Sequence, residues 1–341
     1  MSGIFDMIKE LSLINGASGR EDKVREYIIS KIEGKCEYHV DNTGNIIAFK
    51  KGAKAAKNKV MIDAHMDEVG IIATYITDDG MIKFQTVGGI DPKVLMARQL
   101  VFENGTKGVT VAKPIHLLKS DEREKIPKIE DMCIDIGVST KEDALKHVTP
   151  GMTAVFVSEY VEFGENRVKG KALDDRVGCA IMIDMILTGI EYDAYFSFSV
   201  QEEVGLRGAT TATFGIAPDY AIALESTTAA DIIDVPDHQK VCILGDGATV
   251  SFMDRSTLYS KEVFDIAFDV AKKNDIKIQT KTMVAGGNNA GAIHKSGVGV
   301  KTVAINVPCR YLHSPCCVSD KRDIEAVRKL AEKVLEAFAT A

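Results

Sequence analysis

The sequence predicts an α/β protein, a sheet flanked by helices, interrupted by a small inserted β-rich domain. Three observations predict it. From residue 171 onward, apolar runs of strand length alternate with stretches of helical spacing, the pattern of a sheet with helices on its faces. Between 71 and 163 the pattern changes to short β-like segments divided by Gly, Asn and Asp turns. With 341 residues, 45% hydrophobic and 27% charged, the chain has ordinary globular composition and a length that suits two domains better than one core.

The elements follow in order. The opening segment MSGIFDMIKELSLING reads as an amphipathic helix ending near Gly16; Asp6, Lys9 and Glu10 within it are not the pattern of a secretory signal. Residues 21–33 place Val24, Tyr27, Ile28 and Ile32 on one helical face, and residues 58–64 form a buried strand. The segments IIATYIT, MIKFQTV, QLVFE, KGVTVA and TAVFVSEYVEF supply the β-rich insertion, with a helical pattern only at about 139–147 and a charged loop at 117–131. The α/β domain is expected at 1–70 and 164–341, and the insertion at 71–163. After it come a helix following Asp174, a strand at 194–200, a helix near 207–214 and a strand at 219–224. A helix at 260–273, a Gly-rich turn and helix near 286–296, a strand at 301–307 and a closing helix at 320–338 complete the chain.

Composition excludes several functions. Lys and Arg number 42 against 49 Asp and Glu, a net charge of −7, so no basic surface for nucleic acid is offered. No apolar run approaches the roughly 18 residues of a membrane span. The 7 cysteines are scattered, with no CxxC pair, which points to reduced thiols in a cytoplasmic compartment.

Five motifs carry chemistry, most of them closing a strand. In AHMDEVG, His65 and Asp67 lie two residues apart and would face one side of an extended segment. In KALDDRVG, Asp174 and Asp175 precede a helix, where capping is the plainer role. In SVQEEVGLRGA, Glu202 and Glu203 end an apolar strand; two carboxylates so placed are costly to bury without a cation. IALESTTAAD places Glu225 at a strand end, and VPCRYLHSP places His313 just beyond another. Ligands of open α/β folds bind at such carboxyl ends. Two histidines and several carboxylates suit Zn²⁺, Co²⁺ or Mn²⁺, and so many acidic groups fit two divalent metal ions sharing one bridging carboxylate.

In their order and length, these motifs, with NGASGRE at 15–21 and VGGID at 87–91, resemble the tetrahedral (TET) aminopeptidases, dinuclear metallopeptidases that include glutamyl aminopeptidases. The resemblance runs nearly end to end, and it implies a phosphorylase/hydrolase-like fold, a mixed sheet flanked by helices, with an inserted small β-barrel-like domain. It implies that His65 binds one metal and His313 the other, that Asp174 bridges them, and that Glu203 and Glu225 each complete one side. Glu202 would be the general base and Asp67 would orient His65. The implied substrates are short peptides with a free N-terminus, and the implied assembly is a homo-oligomer, a dodecamer of dimers joined through the inserted domain.

Two positions depart from the family pattern. Glu225 stands where aspartate is usual; related two-metal peptidases with glutamate there can cleave at the C-terminal end. Asn288 and Asn289 stand where Gly-Thr-Asp is common, removing a negative charge. His116 is a candidate substrate contact from the insertion, His294 a supporting residue, and Arg176 and Arg310 candidates for steadying site carboxylates. His39, His147 and His238 read as surface or satisfied histidines, and Cys316 and Cys317 as small apolar-like residues. Two rivals remain open. A glycoside hydrolase would use paired carboxylates, but the chain has no Trp and 6% aromatic residues and leaves both histidines unexplained. A non-catalytic scaffold would not need an intact Glu202 and five candidate ligands.

Overall fold

In the computed structural model, which describes residues 3–341, an eight-stranded mixed sheet forms the frame. Its order is Glu37–Val40, Ile46–Lys50, Ala194–Ser199, Val60–His65, Tyr220–Thr228, Lys301–Cys309, Ala248–Ser251 and Ile278–Lys281. The middle four strands are parallel, which is why they read as unbroken apolar runs: both faces are covered. The alternation within them sorts two layers. Val60, Ile62 and Ala64 join Ile222, Leu224, Val303 and Ile305 in the larger core. The helices Ile4–Leu13, Asp22–Ile32, Leu173–Thr188, Lys261–Lys273 and Lys321–Thr340 all bury side chains in that core. Met61, Ala221, Ala223 and Ala304 face the smaller layer, covered by Arg207–Ile216 and the short helix Ala290–Ile293. Asp63, His65 and Glu225 continue that second face by the period of two.

The insertion closes on itself. Gly70–Ile76, Ile82–Val87, Cys133–Asp135, Lys107–Val111, Gln99–Phe102 and Thr153–Phe156 form a closed barrel around Ile71, Phe84, Leu100, Phe102, Ile134 and Phe156. Closure leaves no unpaired strand edge. The segment expected as one strand, TAVFVSEYVEF, is two. Its second half, Val161–Phe163, leaves the barrel and pairs with Arg167–Gly170, which in turn pairs with Cys317–Asp320. The charged stretch at 117–131 contains a short helix, Ser120–Arg123, and a 3₁₀ turn, Ile129–Asp131, rather than loop alone.

Candidate active site

The site lies at the carboxyl ends of the parallel strands. His65 is the last residue of Val60–His65 and is fully buried. Its Nε2 lies 3.6 Å from Asp174 Oδ1 and 3.6 Å from Glu225 Oε2, while its Nδ1 faces the Asp67 carbonyl at 3.1 Å and Asp67 Oδ1 at 3.3 Å. On the other side His313 Nε2 lies 3.5 Å from Asp174 Oδ2 and 3.3 Å from Glu203 Oε2. Asp174 thus presents one oxygen to each histidine. The ligand atoms of His65, Asp174 and Glu225 lie within 4.8 Å of one another, as do those of Asp174, Glu203 and His313.

Local structure explains how adjacent acids take different roles. A helix is assigned from Leu173, yet Asp174 and Asp175 have non-helical backbone angles and Ala172 is left-handed. The expected capping role falls to Asp175 alone: its carboxylate accepts the Gly178 N–H at 3.0 Å and the His65 N–H at 3.3 Å. A side chain at 178 would collide with that carboxylate. Asp174 is left free to face the site. At Glu202 and Glu203 the left-handed Gln201 (φ 55°) turns the chain, and Asp67 fastens the turn. Its Oδ1 accepts the Glu202 N–H at 3.0 Å and its Oδ2 the Glu203 N–H at 3.2 Å. Ser18, from the NGASGRE segment, donates to Asp67 Oδ2 at 2.6 Å. The VGGID segment has its own contact: the Gly89 carbonyl lies 2.6 Å from His313 Nδ1.

Glu225 is not at a strand end as expected. Its strand runs on to Thr228, because Ser226–Thr228 keep pairing with Val307–Cys309. Glu225 Oε1 accepts the Asn289 N–H at 3.1 Å, and Asn289 Nδ2 donates to buried Asp63 at 2.7 Å and to Ser199 at 2.9 Å. Asn289 was noticed in the sequence only as a departure; its coupling to Asp63, 226 positions away, had no local signal.

Electrostatically the cluster calls for a cation. Burial, little offset by the histidines, drives the Glu203 and Glu225 carboxyls well above their usual range, and lifts Glu202 to about 7. Against that same burial, hydrogen bonding to Asp174 raises the His65 and His313 imidazoles above their ordinary value, His313 to about 10. Acids that cannot all ionise, opposite imidazoles whose free nitrogens converge on them, form a donor set that fits divalent metal. Glu202 joins Asp174, Glu203, Glu225 and His313 in lining an open cavity of about 640 Å³.

Other expected residues lie elsewhere. Arg176 is fully buried but bonds the carbonyls of Leu11, Ile14 and Gly16 and approaches Glu68, while Arg310 clasps the Asp231 carboxylate with two hydrogen bonds. Each steadies a carboxylate, but not one of the site's: Arg176 approaches Glu68 and Arg310 holds Asp231. His116 sits exposed in the turn Ile115–Leu117, outside the residues lining the cavity. His294 is half-buried, its Nδ1 2.7 Å from the Ala290 carbonyl. His39, His147 and His238 are exposed. Cys317 is buried and Cys316 exposed.

The combination of this sheet, this barrel and a carboxylate–histidine cleft defines a hydrolase with a metal-type donor set. The model of the M42 glutamyl aminopeptidases matches residues 44–330, and the chain belongs to that family of metallopeptidases; it is a peptide hydrolase. A relative from Acetivibrio thermocellus is 39% identical over 336 residues, 97% of this chain and 98% of its own. The lysyl aminopeptidase of Pyrococcus furiosus is 32% identical across 97% of this chain and 96% of its own. Among solved structures, the Pyrococcus horikoshii TET1 peptidase, which can assemble into a tetrahedron or a large octahedral shell, superimposes with a TM-score of 0.85 at 35% identity, covering 97% of this chain and 99% of its own. Among the described residues no helix is long and apolar enough to cross a membrane.

Proposed function

We propose that the chain is a two-metal aminopeptidase that removes N-terminal residues from short peptides. The observation that carries the reading is the pair of donor groups sharing one carboxylate: His65, Asp174 and Glu225 would hold one ion, and His313, Asp174 and Glu203 the other. Zn²⁺ or Co²⁺ suits these donors best, and Mn²⁺ is compatible. When bound, such ions supply Lewis-acid polarisation of the scissile carbonyl and acidify the nucleophilic water.

The chain's own groups do the rest. Glu202, lining the cavity beside both donor groups, takes the proton of the attacking water and returns it to the departing amine. Asp67 has two tasks: it orients the His65 ring, and it holds the Glu202–Glu203 turn through two backbone N–H groups. The Gly89 carbonyl fixes the His313 ring from the barrel side. The acidic wall of the cavity favours a free α-ammonium group, which selects the N-terminus. Glu225, though longer than aspartate, keeps its carboxylate beside His65, which supports the same donor role.

A cytoplasmic compartment is supported by seven free cysteines, and a homo-oligomer by the tetrahedron or octahedral shell into which the Pyrococcus horikoshii relative can assemble. Metal-stripped protein titrated with Zn²⁺ or Co²⁺ should take up two ions per chain, and Asp174→Asn should weaken both sites together. Uptake of fewer than two, or peptide hydrolysis undiminished by chelator, would sink the proposal.

A further inference from the structure

The loop that carries Glu202 and Glu203 is held by more than Asp67. The strand Ala194–Ser199 stops short of it and the next helix begins at Arg207, so the amides of residues 200–203 have neither a ladder nor a helical partner. Buried amides need partners, and three side chains supply them in order. Asn45 Oδ1 accepts the Val200 N–H at 2.9 Å and Glu21 Oε1 accepts the Gln201 N–H at 3.2 Å. The two oxygens of Asp67 take the N–H groups of Glu202 and Glu203. Successive amides are thus fixed from three distant segments of the chain.

Glu21 precedes the helix Asp22–Ile32 yet makes no side-chain cap bond to it. Its side chain is buried, and burial, with the Asp67 charge nearby, pushes its carboxyl above the usual range. The Gly19 N–H, at 2.7 Å, and the Gln201 N–H help to offset that cost. Gln201 is the pivot of the loop: at φ 55° it lies in the left-handed region, which a residue bearing a side chain occupies at a cost unless it is held there. Asn45 works at the neck. Fully buried, it takes the Val200 N–H with one end of its amide and donates Nδ2 to the Gly208 carbonyl at 3.0 Å with the other. Beside it the Gly208 N–H donates to the Val200 carbonyl at 3.0 Å. A Cβ on residue 208 would stand 2.3 Å from Asn45 Oδ1, so the glycine is what admits the amide. Asp41 Oδ2 in turn accepts from Asn45 Nδ2 at 2.7 Å.

We propose that Glu21 and Asn45 are positioning residues for the reaction: Asn45 closes the neck of the loop, Glu21 pins its left-handed pivot, and with Asp67 they set where the Glu202 carboxylate stands against the attacking water. The assignment rests on the two-metal peptidase reading and adds to it two residues that do not line the cavity. Among the described residues no protein hydrogen bond reaches the Glu202 carboxylate, so its direction is set by the backbone that bears it. A general base must meet its proton within hydrogen-bond reach, and a misplacement of about 1 Å can cost about 10²-fold in rate. Without Glu21 the pivot is free to leave the left-handed region, and the peptide that aims Glu202 turns with it.

The test uses the metal-loaded full-length protein and the tetrapeptide, free at its N-terminus, that it cleaves fastest, with kcat, KM, metal content and melting temperature recorded for each variant. Glu21→Met and Asn45→Ala should lower kcat by about 10–100-fold, with KM within about twofold and metal content unchanged at saturating Co²⁺. Glu21→Gln keeps an acceptor for both amides and should stay within about threefold of wild type. Glu21→Asp, one methylene shorter, should fall between the two and decides the matter where Glu21→Met or Asn45→Ala does not fold. The telling readout is the combination with Glu202→Gln. Once the base is removed its placement no longer matters, so Glu21→Met, Glu21→Asp and Asn45→Ala should each change the residual rate by less than about twofold. Losses repeated in full in that background would mark a merely structural role and overturn the proposal. So would Glu21→Gln as damaging as Glu21→Met, or activity that falls only in step with metal content, which would route the effect through Glu203. If wild type cleaves no peptide with any metal, the peptidase reading fails and takes this assignment with it; if it cleaves and the losses simply add to that of Glu202→Gln, the assignment alone fails.

Discussion

Glu68 is the best place to perturb the frame of the site without touching its donors. Its side chain is 3% exposed and sits between two buried cations: Lys171 Nζ lies 2.5 Å from Oε1, and Arg176 Nη2 lies 3.6 Å from it. The same oxygen accepts the Gly16 N–H at 3.1 Å, and the Glu68 N–H donates to the Gly16 carbonyl at 3.0 Å. The cluster therefore ties the NGASGRE segment to the residues flanking Asp67 and Asp174. Burial, with Arg176 beside it, already pushes Lys171 down, and Glu68 is what opposes that. Glu68→Gln keeps shape and an acceptor but leaves two buried cations without a counter-charge. Breaking one side of a buried ion pair costs about 3–5 kcal/mol. At about 2–4 °C per kcal/mol for domains of this size, the melting temperature should drop by about 6–20 °C. Adding Lys171→Met removes one stranded cation, so the double variant should lose less than the sum of the singles by about 1 kcal/mol or more. Because the pair is buried, the loss should hardly change between about 0.1 and 1 M salt. Urea unfolding and thermal melts read all of this; a loss under about 1 kcal/mol, or strict additivity, would refute the reasoning.

Four further outcomes follow from the same geometry. Glu202→Gln should lower kcat by about 10²–10⁴-fold while metal content stays at the wild-type level, read by steady-state kinetics beside elemental analysis. Asn289→Ala should weaken metal binding by about 10–100-fold in competition with a chelating dye, since it removes the Nδ2 bonds to Asp63 and Ser199 that hold the residue 289 backbone N–H against Glu225 Oε1. Asp323 is buried, accepts the Gly245 and Gly247 N–H groups at 2.7 and 2.8 Å, and burial lifts its carboxyl to about 6. A raised folded value means stability is lost as pH rises from about 4 toward 6, by up to about 3 kcal/mol, and Asp323→Asn should remove that slope from denaturation curves. His116→Ala should leave kcat/KM within about twofold at the monomer level, because that ring is exposed away from the cavity.

What the sequence made legible follows from where information is local. The central strands announced themselves because both faces are buried, so VMIDAH and the runs at 220 and 301 read as apolar blocks. The donor residues stood out because each follows such a block. Exposed or very short elements did not: Glu37–Val40 at the sheet edge is mostly exposed, and Cys133–Asp135 in the barrel is three residues long, so neither carries a pattern strong enough to see. The roles of Asp174 and Asp175 were inseparable in sequence, since only the irregular backbone at the start of their helix divides them. The supports were hidden for another reason. Ser18 with Asp67, Gly89 with His313 and Asp63 with Asn289 are contacts between distant segments, and nothing in either segment names its partner.

The central claim is that two metal groups sharing Asp174 hydrolyse peptides from the free N-terminus. Metal-free and Zn²⁺- or Co²⁺-loaded protein, incubated with short peptides bearing free or acetylated N-termini and analysed by mass spectrometry, tests it most directly. Stepwise loss of single N-terminal residues, dependent on metal and blocked by acetylation, is the predicted result. Trimming from the C-terminus would contradict the end-specificity and turn attention to Glu225, and no cleavage with any metal would contradict the claim itself.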